Sequence, residues 1–170
     1  IHESHPKLHF CERFRETDEL WNHSRHNHPY IELLYFMDGK GRLEVSVYDL
    51  KPKVAVMLIG ANNPETMFEN YEDILTGLQK NLPDTKIVLL SLTAMGGEHW
   101  GSKNQLAAYN NVTIRLLAEK YGFTYVDLYT PLYDVSIREV YEGYTSDGGH
   151  LTHQGYTVVT EQITPVLEKL

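Results

Sequence analysis

The hydrophobic pattern of this chain changes near residue 51, after which apolar runs alternate with amphipathic stretches. Three apolar runs, at 54–59, 86–92 and 124–129, have the length and continuity of strands that are buried on both faces. Strands that alternate with helical stretches are typical of βαβ units, which form parallel sheets. The pattern therefore predicts an α/β domain over residues 51–170.

Three helical stretches accompany these strands. A capping residue and a proline at 63–64 predict a first helix, which ends at Pro83. The second helix is predicted over about 103–121, followed by Gly122, a residue suited to a left-handed helix end. The third is predicted from about residue 152 to the end of the chain, with an interior proline that should kink it.

The first 50 residues carry a different pattern, which is β-like. Residues 30–36 and 42–48 read as two strands around a turn at 37–41, so a hairpin is predicted there. Six of the nine histidines of the chain lie within its first 28 residues. We therefore divide the chain into a β segment, 1–50, and an α/β domain, 51–170.

Charge and composition exclude several classes of protein. The formal net charge of −8 and the lack of a basic stripe argue against a nucleic-acid partner. No apolar run reaches the roughly 20 residues that a membrane span needs. Cys11 is the only cysteine, so no intramolecular disulfide can form. That fits a reducing, cytoplasmic compartment, and it is also compatible with secretion.

Candidate chemistry lies in the loops, because functional groups gather beyond the carboxyl ends of parallel strands. Asp147 and His150 share a glycine-rich loop before the last helix, where the carboxylate could orient the imidazole as a general base. Gly60 permits a tight turn after the first strand, and the amide of Asn62 could donate to a developing oxyanion. Taken singly, a helix cap and a polar surface turn explain these residues as well.

Together these residues resemble the motifs of a known family. The segments Gly60-Ala-Asn62, Tyr125-Val-Asp-Leu128 and Asp147-Gly-Gly-His-Leu-Thr-His-Gln-Gly-Tyr156 are similar to those of SGNH (GDSL-type) hydrolases, over about residues 51–170. The resemblance implies a three-layer, flavodoxin-like fold and a serine-type esterase, lipase or acylhydrolase that needs no cofactor. It also implies that Asn62 is an oxyanion-hole donor and that Asp147 and His150 belong to a Ser-His-Asp triad.

The chain departs from this family upstream. The family's first strand ends in Gly-Asp-Ser, whereas the nearest analogue here, a strand at 31–36 followed by Met37-Asp-Gly39, has no serine. The serines that lie near loops have no strand-to-helix elbow to expose them: Ser91, Ser102, Ser136 and Ser146. We therefore leave the nucleophile unassigned and expect an impaired activity.

A second resemblance lies in the N-terminal segment. His26-Asn-His28-Pro-Tyr-Ile-Glu32 is similar to the first motif of cupins, and residues 23–52 resemble the N-terminal cupin of AraC-type regulators. In metal-binding cupins such histidines and glutamate are ligands, but the later histidine of the set has no counterpart here. We expect no bound metal. The alternative is a metal site in which His26, His28 and Glu32 are the ligands. The alternative function is a non-catalytic module that binds a sugar-like molecule.

The two family fragments meet near Leu50-Lys-Pro52. The first 50 residues are too few for a cupin barrel, and the remaining 120 are too few for an SGNH domain, which would lack its first two strands. A natural hybrid, an engineered chimera and a sequence without one of its segments would each give this pattern. The strand that begins at Val54 would have an uncovered edge. Either the N-terminal hairpin covers that edge, or we expect a homodimer or a swapped assembly.

The expected substrate is a small ester, which includes acylated carbohydrates and lipids. The glycine-rich stretch 93–101 carries Trp100 beside His99 and has two interpretations. It forms one wall of an acyl or sugar pocket, or it is only a long connection.

Overall fold

The computed structural model describes residues 51–170, and it contains one parallel sheet of three strands. The strands are β1 (Val54–Met57), β2 (Lys86–Leu90) and β3 (Thr124–Val126), in that spatial order. β2 pairs in parallel with both of its neighbours. The predicted α/β class is confirmed, whereas the predicted hairpin at 30–48 lies outside the described residues.

Three helices cover the two faces of this sheet: α1 (Tyr71–Asn81), α2 (Gly97–Tyr121) and α3 (His153–Leu167). Alternate residues of a strand point to opposite faces. Ile87 and Leu89 of β2 accordingly join a core with α1 and α2, whereas Val88 packs in a core that α3 covers. This is the three-layer, flavodoxin-like arrangement that was predicted. None of the helices within 51–170 has the length and apolar character that crossing a bilayer requires.

Burial differs between the strands. β2 is buried on both faces except at its first residue, as predicted, whereas β1 and most of β3 are only half-buried. Both are terminal strands of the sheet that residues 51–170 form, so they have fewer neighbours. The expectation of a homodimer through the β1 edge stays a prediction.

The strands also end earlier than the apolar runs, and Ser91 shows why. Its hydroxyl oxygen accepts hydrogen bonds from the backbone N–H groups of Leu128 (2.8 Å) and Tyr129 (3.1 Å). A side chain therefore takes the place of ladder bonds where β2 and β3 separate. The residues beyond this point leave the sheet and form the loops at its carboxyl edge.

The predicted start of the first helix is wrong. Residues 63–66 form a turn, Met67–Glu69 a 3-10 turn, and α1 begins only at Tyr71. Pro64 is buried, and its carbonyl accepts a hydrogen bond from the Asn110 side chain (2.7 Å). A carbonyl engaged in this way belongs to a tertiary contact rather than to the first turn of a helix.

The other two helices agree better with the sequence. α2 begins at Gly97, six residues before its predicted start, and ends at Tyr121. It is capped by Gly122, which has the predicted left-handed conformation (φ 68°, ψ 28°). The hydroxyl of Thr152 accepts from the N–H of Gly155 and caps α3. Pro165 lies in the last turn, and the helix ends two residues later.

A short antiparallel hairpin follows β3 and had no signal in the sequence. It consists of β4 (Tyr133–Asp134) and β5 (Glu139–Val140). Asp134 closes its turn by accepting from the N–H and hydroxyl of Ser136 (2.8 and 2.6 Å). The N–H of Val140 donates to the carbonyl of Met95 (3.2 Å), so the hairpin lies against the loop that follows β2.

Buried asparagines of α2 hold the loops at the carboxyl edge of the sheet. Asn111 accepts from the N–H of Leu92 (2.7 Å) and donates to its carbonyl (3.0 Å). Asn104 accepts from the N–H of Met95 (2.8 Å) and donates to the carbonyl of Arg138 (3.0 Å). Backbone groups buried in this way need partners, since an unpaired one costs about 1–3 kcal/mol.

We predict that Asn111→Ala lowers the free energy of unfolding by about 2 kcal/mol, because the N–H of Leu92 loses its partner in the core and the carbonyl keeps only the Ser91 hydroxyl. Urea denaturation should show a lower midpoint with an unchanged slope. Asn81→Ala is the matched control, since Asn81 is exposed and makes one bond, to the carbonyl of Gly77. An equal loss of stability in both variants would contradict the prediction.

Candidate active site

Asp147 holds both the backbone and the ring of His150. Its Oδ1 accepts from the backbone N–H groups of Gly149 (3.0 Å) and His150 (2.8 Å), while Oδ2 lies 2.6 Å from His150 Nδ1. An ionised carboxylate only accepts hydrogen bonds, so in the neutral form of the ring Nδ1 carries the proton and Nε2 the lone pair. The predicted pairing of Asp147 with His150 therefore has the geometry of an oriented base.

The same contacts control the ionisation of Asp147. The hydrogen bond from the backbone N–H of His150, together with those from its ring and from Gly149, holds the pKa of Asp147 well below its usual value. Partial desolvation opposes this shift but does not reverse it. The carboxylate is therefore ionised at neutral pH and can stabilise an imidazolium next to it.

The other ring nitrogen of His150 is the unusual one. Nε2 is buried and has no hydrogen-bond partner among residues 51–170. Buried polar atoms are nearly always paired, so an unpaired one beside a carboxylate of lowered pKa makes His150 a candidate functional residue. This is the atom that a general base presents to the hydroxyl it deprotonates.

Trp100, near the start of α2, packs against this loop. Its buried ring stands edge-on to the His150 ring, with centroids 5.5 Å apart and planes at 89°. Its Nε1–H donates to Asp147 Oδ2 at the longer distance of 3.4 Å. A β-carbon at Gly149 would overlap the indole ring. The tryptophan therefore contacts three residues of the loop and limits where the imidazole can lie.

The first glycine of the motif is required by a backbone contact. The N–H of Gly96 donates to the carbonyl of Gly148 (2.9 Å), and Gly148 has a left-handed φ of 91°. A β-carbon at Gly148 would overlap the carbonyl oxygen of Gly96. Only glycine combines this φ with this approach.

The Asn62 loop meets the same part of α2. Gly60 turns the chain after β1 with a φ of 107°, and a β-carbon there would lie 2.6 Å from Met67 Cε. The carbonyl of Asn62 accepts from Lys103 Nζ (2.8 Å), and that ammonium lies 4.9 Å from the centre of the Trp100 ring. Lys103 and Trp100 thus connect the Asn62 loop with the residues around His150.

Three serines of residues 51–170 make contacts of their own, and Ser102 is exposed on α2. Ser91 is fully buried and donates to the carbonyl of Leu92 (3.1 Å) besides joining β2 to β3, so it is unavailable as a nucleophile. Ser136 belongs to the hairpin turn, and the hydroxyl of Ser146 lies 3.3 Å from the carbonyl of His150. Within residues 51–170 no serine hydroxyl hydrogen bonds to Nε2.

Metal binding has no support in the part of the chain that the structure describes, where no group of three metal-ligating side chains occurs. His26, His28 and Glu32 lie outside that part. The alternative metal site, the cupin resemblance and the division near residue 51 therefore stay predictions.

The fold and the site define an α/β domain that carries an oriented Asp–His pair at the carboxyl edge of its sheet. Residues 36–158 match the GDSL-like Lipase/Acylhydrolase family, so the chain belongs to that family. The match begins upstream of residue 51, where the sequence pattern changes. A comparison with curated proteins found no match.

Several solved structures share the fold. An acylhydrolase from Bacteroides fragilis is 22% identical, with 72% of this chain and 64% of that chain covered and a TM-score of 0.64. A GDSL-like lipase from Bacteroides thetaiotaomicron is 24% identical, with 72% and 65% covered and a TM-score of 0.63. An acetyl xylan esterase is 20% identical, with 71% and 69% covered and a TM-score of 0.56. The chain thus spans less than two thirds of the first two.

The residues that pack around the Asp147–His150 pair had little or no signal in the sequence. The stretch 93–101 is not one loop, because α2 begins at Gly97, and Trp100 lies against His150 from within that helix. The pairing of an aromatic residue with a glycine-rich stretch was a weak signal for this contact. Lys103 had none, since a lysine on a helix is normally solvated.

We predict that Asp147 makes stability depend on pH. Its pKa in the folded protein lies below the unfolded value of about 3.9, so the carboxylate stabilises the fold above about pH 4 and less as pH falls. Asp147→Asn should be less stable than the wild type at pH 7, and the difference should shrink from about pH 5 to about pH 3. The side chain is 46% exposed, so screening keeps the effect small.

Urea denaturation of both proteins across this pH range measures the difference. If the difference in the free energy of unfolding between wild type and Asp147→Asn grew as the pH fell, the lowered pKa of Asp147 would be contradicted.

Proposed function

We propose that this chain is a serine-type ester hydrolase in which His150 is the general base, Asp147 orients it and Asn62 donates to the oxyanion. The observation that carries the proposal is the hydrogen bonding of the two ring nitrogens of His150. Nδ1 lies 2.6 Å from the Asp147 carboxylate, while Nε2 is buried and unpaired within residues 51–170. An imidazole held in this way takes up a proton at one defined atom.

The proposed reaction gives each of these groups one role. A serine hydroxyl attacks the acyl carbonyl and passes its proton to His150 Nε2, while the Asp147 carboxylate stabilises the imidazolium. The amide of Asn62 donates to the oxygen that becomes negative, a contact worth on the order of 10² to 10³ in rate. His150 then returns the proton to the leaving alcohol, and water releases the acyl group by the same steps.

The nucleophile stays unassigned. The contacts of Ser91 exclude it, and Ser102, Ser136 and Ser146 make no hydrogen bond to Nε2, so the proposal requires a serine outside residues 51–170. Without one, His150 could act only on water, and activity would be impaired as expected from the missing Gly-Asp-Ser block.

The substrate we propose is a small acyl ester. Membership of a lipase and acylhydrolase family supports this class. One structure with a similar fold is an acetyl xylan esterase, which makes an acetylated carbohydrate the first natural ester to test, with a lipid ester beside it. The dyad itself requires no cofactor.

Hydrolysis of p-nitrophenyl acetate tests the role of His150. His150→Ala should lower kcat/KM by about 10²-fold or more, because the base that accepts the proton is lost. His153→Ala is the matched control, since His153 is an exposed histidine at the start of α3. It should hydrolyse the ester at the wild-type rate. Equal rates for wild type and His150→Ala would overturn the proposal.

Labelling with a fluorophosphonate, followed by peptide mass spectrometry, identifies the nucleophile. We expect the label on a serine outside residues 51–170, and we expect His150→Ala to prevent it. Label on Ser91 would contradict its burial in the core. Hydrolysis that depends on His150 but leaves no label would show that water activated by His150 attacks the ester directly and that the serine mechanism is wrong.

A further inference from the structure

Two residues of α2, Trp100 and Lys103, lie one helical turn apart and contact both halves of the candidate site. Trp100 packs edge-on against the His150 ring and donates to Asp147. Lys103 Nζ donates to the carbonyl of Asn62 (2.8 Å) and lies 4.9 Å from the centre of the Trp100 ring. The two side chains therefore form a continuous bridge between the Asn62 loop and His150.

We propose that Lys103 is a positioning residue that fixes the Asn62 loop relative to His150 through Trp100. This inference rests on the proposed function, in which Asn62 must donate to an oxygen whose proton-transfer partner is His150. Catalytic groups work only when they are held within about 0.5 Å of the productive geometry. Asn62 and His150 belong to loops far apart in the sequence, so a rigid element must relate them.

The contacts suit this role better than a role in folding. The ammonium binds the carbonyl of Asn62 itself, which orients the peptide plane next to the residue that donates. The aromatic ring restrains the ammonium through a cation–π contact. A second contact, from buried Asn110 to the carbonyl of Pro64 (2.7 Å), holds the following turn independently. Loss of Lys103 should therefore shift Asn62 and leave the loop folded.

The chain offers a matched control at the other end of the same helix. Lys120 also combines a polar and an aromatic contact, since its ammonium hydrogen bonds to Glu72 of α1 and lies 5.3 Å from the centre of the Tyr121 ring. These partners tie α2 to α1, and none of them belongs to the candidate site. A general effect of losing such a lysine would appear equally in both variants.

The kinetic test compares Lys103→Met, Lys103→Arg and Lys120→Met with the wild type, using p-nitrophenyl acetate. Lys103→Met should lower kcat about tenfold with KM changed less than about twofold, because a small displacement of a catalytic group slows the chemical step. Lys103→Arg should recover part of kcat, since it keeps the positive charge and N–H donors but presents them in a larger planar group. Lys120→Met should match the wild type.

The thermal midpoint of Lys103→Met should stay close to that of the wild type, in contrast to a variant that merely unfolds. A kcat of Lys103→Met within twofold of the wild type would overturn the proposal, and so would an equal loss in Lys120→Met.

A readout without catalysis separates this inference from the proposed function. The side-chain amide signals of Asn62 in a ¹H–¹⁵N NMR spectrum are assigned by their disappearance in Asn62→Ala. We expect them to shift in Lys103→Met and to stay in place in Lys120→Met. If the wild type hydrolyses no ester, the proposed function fails. The spectrum still tests whether Lys103 positions Asn62, because it does not depend on catalysis. Unchanged Asn62 signals in Lys103→Met would overturn the bridge itself.

Discussion

The candidate site depends on the contact between the backbones of Gly96 and Gly148. The N–H of one donates to the carbonyl of the other, at an approach where a β-carbon on Gly148 has no room. This contact lays the loop before α3 against the start of α2. Because the loop lies there, Gly149 fits against the indole of Trp100, and the His150 ring stands at its edge. The position of His150 thus depends on a backbone contact as well as on the bond between its ring and Asp147.

The helix α2 also binds the other loops at this edge of the sheet. Besides its apolar residues it buries three asparagines, Asn104, Asn110 and Asn111, which bond to backbone groups after β1 and β2 and in the hairpin. Such amides satisfy backbone atoms that have left the sheet and would otherwise be buried without partners. One helix therefore both covers the sheet and relates the loops that carry Asn62 and His150.

Much of the fold could be predicted from local pattern. The three strands, the C-terminal end of α2 and the start of α3 follow from apolar runs, a left-handed glycine and a threonine cap. The first helix was misplaced because Pro64 has the features of a helix start, while a bond from Asn110 holds it in a turn. The hairpin was missed because its strands of two residues show no periodicity. Tertiary contacts replace local preference at each of these points.

The sequence by itself determined the pairing of Asp147 with His150, because a carboxylate can reach the backbone and the ring of a residue three positions ahead within one turn. The short motifs likewise predicted the GDSL-like family. Only the tertiary structure decided that Ser91 joins two strands, that Trp100 packs against His150 and that Lys103 binds the Asn62 carbonyl. These contacts join residues far apart in the chain, and only the packing of α2 on the sheet brings them within bonding distance.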